Sequence, residues 1–454
     1  MLHPTHSPRQ RRRSRVALAG LIGATVLVMS ACSSPSASSS KIDPNADAKS
    51  VSGTITVMVP PGELTPANIA EFNKEYPKVT VKQIDEDPVK LKALQAAGDP
   101  PDIWRPTGPQ IPALVAQGQL LDLTTALHVA GVDDSSTYPA ARLYTVKGKQ
   151  YGAPKDWSPD FTIFVNNKLF EKAGIPVPDP KVPMSWAQIG DLARKLTVSS
   201  GGATSQFGLT GSWELLGPAR TIQVALAESG ESLYAKDDKS IRLASNPHAV
   251  KALQFIADLA KDGATHSPLN PSATWGGDEF MKGTVAMANY GYWFNASIDS
   301  GKTAVGTDYT LLPAPYWNDP SSRIDPTVSA TGWVISSKTK NAQAAFELLK
   351  WYLAGPQAVE RAQAGWGYPA LKSNTKYLPH DTAVDKQVLD VVDSDAKVSP
   401  SLHFNQYYDD GAFTNSYNKH LQEYIKGQID IKQFASEIQN DVNGTIADGV
   451  SAIG

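Results

Sequence analysis

Apolar and polar residues alternate at Ile55, Val57 and Val59, and this period of two predicts a strand over residues 54–59, ended by Pro60-Pro61-Gly62. The period then becomes helical. Over residues 65–76, Ile69, Phe72 and Tyr76 share one face, and Pro66 suits a first-turn position. A strand at 79–81, a helix at 88–97 stopped by Gly98-Asp99-Pro100-Pro101, and a short strand at 102–104 follow. Helical stretches come next at 111–117 and 123–128. This alternation argues for an α/β layer with a largely parallel sheet. Further along, Ser185 and Gln188 form a capping box that opens a helix with Ile189, Leu192, Ala193 and Leu196 on one side. Residues 246–261 place Ala249, Leu253, Ile256, Ala257 and Leu259 at helical spacing. Residues 341–353 do the same with Ala345, Phe346, Leu349 and Leu353, stopping at Gly355-Pro356. Two closing helices are expected at 409–425 and 431–446, and no internal repeat is visible.

The first 31 residues follow a different pattern. Arg11, Arg12, Arg13 and Arg15 make a basic head, an uncharged apolar stretch begins at Val16, and Met29-Ser30-Ala31-Cys32 closes the segment. That order describes an export signal. The uncharged run of about 16 residues is short for a bilayer span of roughly 20. A cysteine after small residues and before a Ser-rich stretch resembles the lipobox of bacterial lipoproteins, with Met29 where Leu is usual. The resemblance implies that residues 1–31 are removed, that Cys32 is lipidated, and that the chain is held on the outer face of the cell membrane. Multiple acyl chains would make that anchor firm. Arg15 departs from a twin-arginine signal, which prefers an apolar residue there. Residues 32–51, rich in Ser, Pro, Ala and Asp, read as a flexible tether. A calcium-loop reading of Asp43, Asn45 and Asp47 fails because Ala48 and Thr54 stand where Gly and Glu are needed.

Composition narrows the function. About 420 residues remain after the signal, enough for two or three cores. Charged residues make up 19% and the net charge is −3, so no basic stripe points to nucleic acid. Cys32 is the only cysteine, and its lipidation leaves no thiol for a disulfide, catalysis or a thiolate metal site. Ten Trp and sixteen Tyr offer flat faces to sugar rings.

Seven segments in order resemble the extracellular solute-binding proteins of ABC transporters, in the sugar-binding, maltose-binding-protein-like branch. They are the opening strand 54–59, the turn at 98–103 (GDPPDI), Tyr151-Gly152-Ala153-Pro154 with 164–170, and then 183–192. Residues 280–293 (FMKGTVAMANYGYW), 332–353 and 365–370 complete the series. Phe164 and Val165 replace the usual aromatic choice beside Asn166. The resemblance implies a two-lobed, Venus-flytrap α/β fold of the periplasmic-binding-protein type, with a ligand cleft between lobes. Mapped onto this chain, lobe one comprises 52–157 plus 284–328, and lobe two 158–283 plus 329–454. It further implies a monomer without cofactor or metal that captures a di- or oligosaccharide and delivers it to the permease of an ABC importer.

Sugars need hydroxyl partners and apolar stacking faces, and in α/β sheets such sites lie beyond the carboxyl ends of strands. Glu63 and Trp104 follow strands, and Asp156, Trp157 and Asp160 lie where the chain should cross between lobes. Tyr292 and Trp293 fall at the family's Gly-x-Trp stacking position. Trp213, Trp275, Trp333, Trp366 and Tyr368 sit in loops or at element starts and join the candidate set. Trp186 and Trp351 lie within helical patterns and are expected to pack. Residues 296–303 fit a relaxed phosphate loop, but no strand feeds it and no helix follows. His-Glu-x-x-His and Gly-x-Ser-x-Gly are absent. Two alternatives stay open: the same fold binding a polyamine or phosphate ester, and a lipid-anchored glycan hydrolase using two facing carboxylates.

Overall fold

A computed structural model describes residues 42–453, apart from residues 202, 273, 300 and 302. The signal segment 1–31, Cys32 and the start of the tether lie outside the described residues. The rest of the tether is not free. The Asp43 N–H donates to Gln343 Oε1 at 2.7 Å, and Gln343 Nε2 donates back to the Asp43 carbonyl at 2.8 Å. Ile42, Ala46 and Ala48 pack against the adjoining core. Polar composition concealed these three apolar contacts, so the flexible stretch expected over 32–51 is corrected for 42–51.

Thirteen strands form two main sheets and a small hairpin. In chain order they are Ser52–Val59 (β1), Lys78–Asp85 (β2), Ile103–Trp104 (β3), Thr145–Val146 (β4) and Lys149–Gln150 (β5). Gly152–Trp157 (β6), Ile163–Asn166 (β7), Val198–Ser200 (β8) and Ala203–Thr210 (β9) follow. Val285–Asn289 (β10), Tyr309–Leu312 (β11), Thr331–Ile335 (β12) and Tyr368–Pro369 (β13) complete the set. The first sheet has the order β13-β6-β12-β3-β1-β2 and the second β11-β7-β10-β9-β8. β1 runs parallel to β2 and β3, but β12 lies antiparallel between β3 and β6. β10 is parallel to β9 and antiparallel to β7. The sheets are therefore mixed, because strands that return from the other half enter in the opposite direction.

Local chemistry explains the helices that pack on these sheets. Thr65 and Asn68 cap Pro66–Glu75 reciprocally, and Phe72 goes into the core stacked on Tyr76 with centroids 4.6 Å apart. Ser185 and Gln188 form the expected box at Trp186–Leu196. The apolar positions named for Pro247–Lys261 are all buried. Trp186 and Trp351 are packing residues, as expected.

Sheet membership corrects the expected lobe assignment. β10 and β11, from segment 284–328, pair within the second sheet, whereas β12 and β13 pair within the first. Within segment 329–454, the helices from residue 383 onward pack with the second half. Gln387 brackets Leu311 with two hydrogen bonds, and the Tyr424 hydroxyl reaches Asp258 at 2.6 Å. The order of motifs carries no information on which sheet a strand enters; pairing across more than a hundred residues decides it.

The chain passes between the sheets at 158–162, 313–330 and 370–382. Asp160 sits in the first passage, wholly buried. Its carboxylate accepts the N–H groups of Val328 and Ser329 at 2.7 and 2.8 Å, and also the hydroxyls of Ser158 and Ser329. Asp325 answers from the second passage by accepting the Phe161 N–H at 2.8 Å. A β-carbon on Gly291 would come within 2.3 Å of Asp160 Oδ1 and Ser158 Oγ, so only glycine lets β10's outgoing backbone lie this close. Burial raises the Asp160 pKa while these donors pull it down. Expected as a sugar contact, Asp160 is instead a brace tying two crossing segments together.

Candidate ligand-binding surfaces

In the first half, the sheet's carboxyl edge gathers charge. Gly62, at φ +84°, turns the chain after β1 so that Glu63 faces back over the sheet. The Glu63 carboxylate accepts the Trp333 indole N–H at 2.8 Å, and Arg105 Nη1 stands 3.5 Å and Lys155 Nζ 4.0 Å away. Arg105 also reaches Glu86 at 3.5 Å. Lys155 pairs with its neighbour Asp156, which accepts the Thr331 hydroxyl at 2.6 Å. Burial opposes the Arg105 charge, but Glu63 and Glu86 outweigh it and hold its pKa above the ordinary value. Below this layer Trp333 stacks flat on Tyr352, centroids 3.9 Å apart, with Arg361 4.4 Å over the opposite partner ring of that pair. Trp366 is 42% exposed and lines a small recess with Lys155, Asp156 and Arg361.

In the second half, one carboxylate organises the end of β9. Glu214 accepts the Gly211 N–H and the Thr210 and Thr265 hydroxyls, and stands 3.2 Å from His266 Nδ1. His266 Nε2 lies 2.8 Å from Glu279. Burial disfavours charge on His266, yet Glu214 and Glu279 more than compensate and raise its pKa. A β-carbon on Gly276 would fall 2.0 Å from Thr210 Oγ1, so the helix Gly276–Lys282 sits directly on β9. That seating presents Trp275, which stacks on Trp293 with centroids 5.9 Å apart and planes 21° apart. Both indoles are partly exposed, and Tyr290 backs them.

The two halves meet beside these groups. A β-carbon on Gly365 would lie 3.4 Å from the Tyr292 hydroxyl, and the Tyr292 and Tyr368 rings are 6.4 Å apart. Trp366 and Trp293 are the next residues after Gly365 and Tyr292.

Of the twelve residues proposed from sequence, Glu63, Asp156 and Trp366 share the first surface, and Trp275 and Trp293 the second. The other seven are buried. Trp104 lies within β3, Trp213 packs against Trp186 and Phe255, and Trp157 clusters with Tyr138 and Tyr368. Tyr292 fills the contact between halves, and Tyr368 donates its hydroxyl to Asp393. Trp333 positions Glu63, and Asp160 braces the crossing. These seven, expected as ligand contacts, are buried in packing positions instead of lining a surface: loop positions at strand ends turn inward where another element covers them. Arg105, Lys155, Glu86, His266 and Glu279 complete the two surfaces but were not among the candidates. Only Glu214, three residues after Gly211 at a helix start, carried a local signal. Among the described residues no group of three or more His, Cys, Asp or Glu could hold a metal ion.

Residues 67–388 match the sequence model of a family described as bacterial extracellular solute-binding protein. The chain belongs to this family. A multiple sugar-binding protein of Streptococcus mutans is 23% identical to this solute-binding protein over 288 residues. The match covers 61% of this chain and 62% of that relative, so the chain spans about three-fifths of the relative's length. Among solved structures, an ABC substrate-binding protein from Listeria monocytogenes in complex with cycloalternan superposes with a TM-score of 0.71 at 21% identity. The superposition covers 87% of this chain and 99% of that one. A maltose/maltodextrin-binding domain from Bdellovibrio bacteriovorus bound to maltotriose gives 0.68 at 18% identity, covering 87% and 100%. These likenesses establish the fold of this solute-binding protein as two-lobed α/β. Among the described residues no helix is long and apolar enough to cross a membrane.

Proposed function

We propose that this solute-binding protein captures a carbohydrate, a di- or oligosaccharide, between its lobes and delivers it to an ABC importer. The observation that carries the reading is the stacked, partly exposed Trp275–Trp293 pair beside a carboxylate-organised polar surface. Flat indoles supply area for a sugar face, and the opposing Glu63, Arg105, Lys155 and Asp156 supply paired donors and acceptors for hydroxyls. The mixture of signs in that network suits a neutral ligand better than a polyamine or a phosphate ester. Closure of the lobes would exclude water and present one shape to the permease. By this reading the protein binds without turning its ligand over, works as a monomer, and is held outside the cell membrane by lipid on Cys32.

The test is thermal unfolding of the protein against mono- and oligosaccharides, with a polyamine and a phosphate ester included. A ligand at a hundredfold its Kd adds roughly 2.7 kcal/mol and raises Tm by several degrees. A rise with one sugar, recovered unchanged, is expected. A rise only with the polyamine or phosphate ester overturns the carbohydrate assignment, and release of shorter sugars overturns the binding-only assignment.

A further inference from the structure

A second cavity, of about 370 Å3, opens away from the residues of both surfaces described above. One wall comes from the first half: Pro112, Arg142 and Leu143, with Thr145, Val146 and Lys147 of the β4–β5 hairpin. The other comes from the second half: Asp238, residues 401–404 and Gln406, which precede the helix Gly411–Ile425. The cavity lies beside the crossing, since the Asp325 N–H donates to the Val398 carbonyl and the Ser401 hydroxyl reaches the Pro139 carbonyl at 3.5 Å.

Its charges are unevenly satisfied. Asp238 is occupied: its carboxylate lies 2.8 Å from His403 Nε2, and its carbonyl accepts Asn405 Nδ2 at 2.7 Å. Arg142 is not. Its Nε is shielded from solvent and finds no acceptor, and its guanidinium makes no hydrogen bond or ion pair among the described residues. Lys147, on the same wall, is also without an ion pair among the described residues. Arg142 is only partly buried, so its terminal guanidinium nitrogens, which are not among the shielded atoms, stay open while unpaired, and a carboxylate matches their planar fork. The rest of the lining includes Leu143, Leu402 and Phe404, which favour an apolar body behind the charge. The volume falls within the roughly 300–1,000 Å3 of small-molecule sites.

We propose that this cavity is a second ligand site, for a small organic carboxylate held by Arg142. Because its two walls belong to different halves, occupancy there is thermodynamically linked to the lobe arrangement and so to capture in the main cleft.

The test is calorimetric titration of the purified full-length protein, free of sugar, with benzoate, benzyl alcohol and inorganic phosphate. Saturable benzoate binding is expected, with benzyl alcohol weaker by at least about tenfold. Arg142→Gln should weaken benzoate by a similar factor, and Arg142→Lys should restore part of it. Equal affinity for benzyl alcohol, undiminished benzoate binding by Arg142→Gln, or no saturable benzoate binding overturns the proposal. Phosphate binding as tightly as benzoate would make this an inorganic anion site and overturn the carboxylate assignment. The wild-type comparison needs no substitution, so a folding defect in a variant leaves the question decidable. Failure here leaves sugar capture untouched, since no sugar enters the measurement.

Discussion

At the scale of single residues, indoles alike in sequence divide into two jobs. Trp293 keeps part of its ring in the open, stacked on Trp275, whereas Trp333 is wholly buried and spends its N–H on Glu63. The two make opposite predictions. Trp293→Ala should weaken sugar binding at least tenfold, about 1.4 kcal/mol, in a protein that still folds, with a midpoint lowered only by the lost packing on Trp275, Tyr290 and Phe294. Unchanged affinity in a fluorescence titration would remove Trp293 from the site. Trp333→Phe keeps the ring on Tyr352 but deletes the donor to a carboxylate. It should cost about 1.5–3 kcal/mol in urea unfolding, toward the lower end because Arg105 still faces Glu63. A loss confined to ligand affinity would instead make Trp333 a contact residue.

Among elements, one imidazole ties the segment that presents Trp275 to the end of β9, beside the close seat of Gly276 and the Ser272 hydroxyl on Glu279. His266 bridges Glu214, beside β9, to Glu279 on the helix Gly276–Lys282. Its folded pKa is raised, so the proton is held more tightly in the native state than in the unfolded chain. The stabilisation is therefore complete below the unfolded histidine value of about 6.5 and is lost as pH rises through the higher folded value. The difference in unfolding free energy between wild type and His266→Asn should shrink across that window. A difference flat from acid to alkaline pH would show that charge on His266 is not what joins these elements. The capping boxes at Thr65 and Ser185 were legible from sequence because both partners lie three residues apart. The His266 bridge was not, since its ends are 52 and 13 residues away.

For the whole molecule, the crossing segments matter most. Asp160 gives two backbone N–H groups of another crossing segment their acceptor, so Asp160→Ala leaves the buried Val328 N–H and the part-buried Ser329 N–H unpaired and should cost about 2 kcal/mol in urea unfolding. Asp160→Asn, which keeps one acceptor oxygen, should cost less; equal cost would point to charge rather than hydrogen bonding. If capture works by lobe closure, a saturating sugar should also reduce the radius of gyration in solution scattering, and an unchanged radius would sink the closing mechanism. Sequence by itself determined the α/β class, the helices at 186–196 and 247–261, and the family, because periodicity, caps and ordered motifs are local. It also pointed to Glu63, Asp156, Trp275, Trp293 and Trp366, since the ends of elements can be read along the chain. Tertiary structure alone decided that β10 and β11 belong to the second sheet and β12 to the first, and that Trp104, Trp157 and Asp160 turn inward. Strand pairing and burial depend on which distant element arrives to cover a face, and no spacing along the chain encodes that arrival.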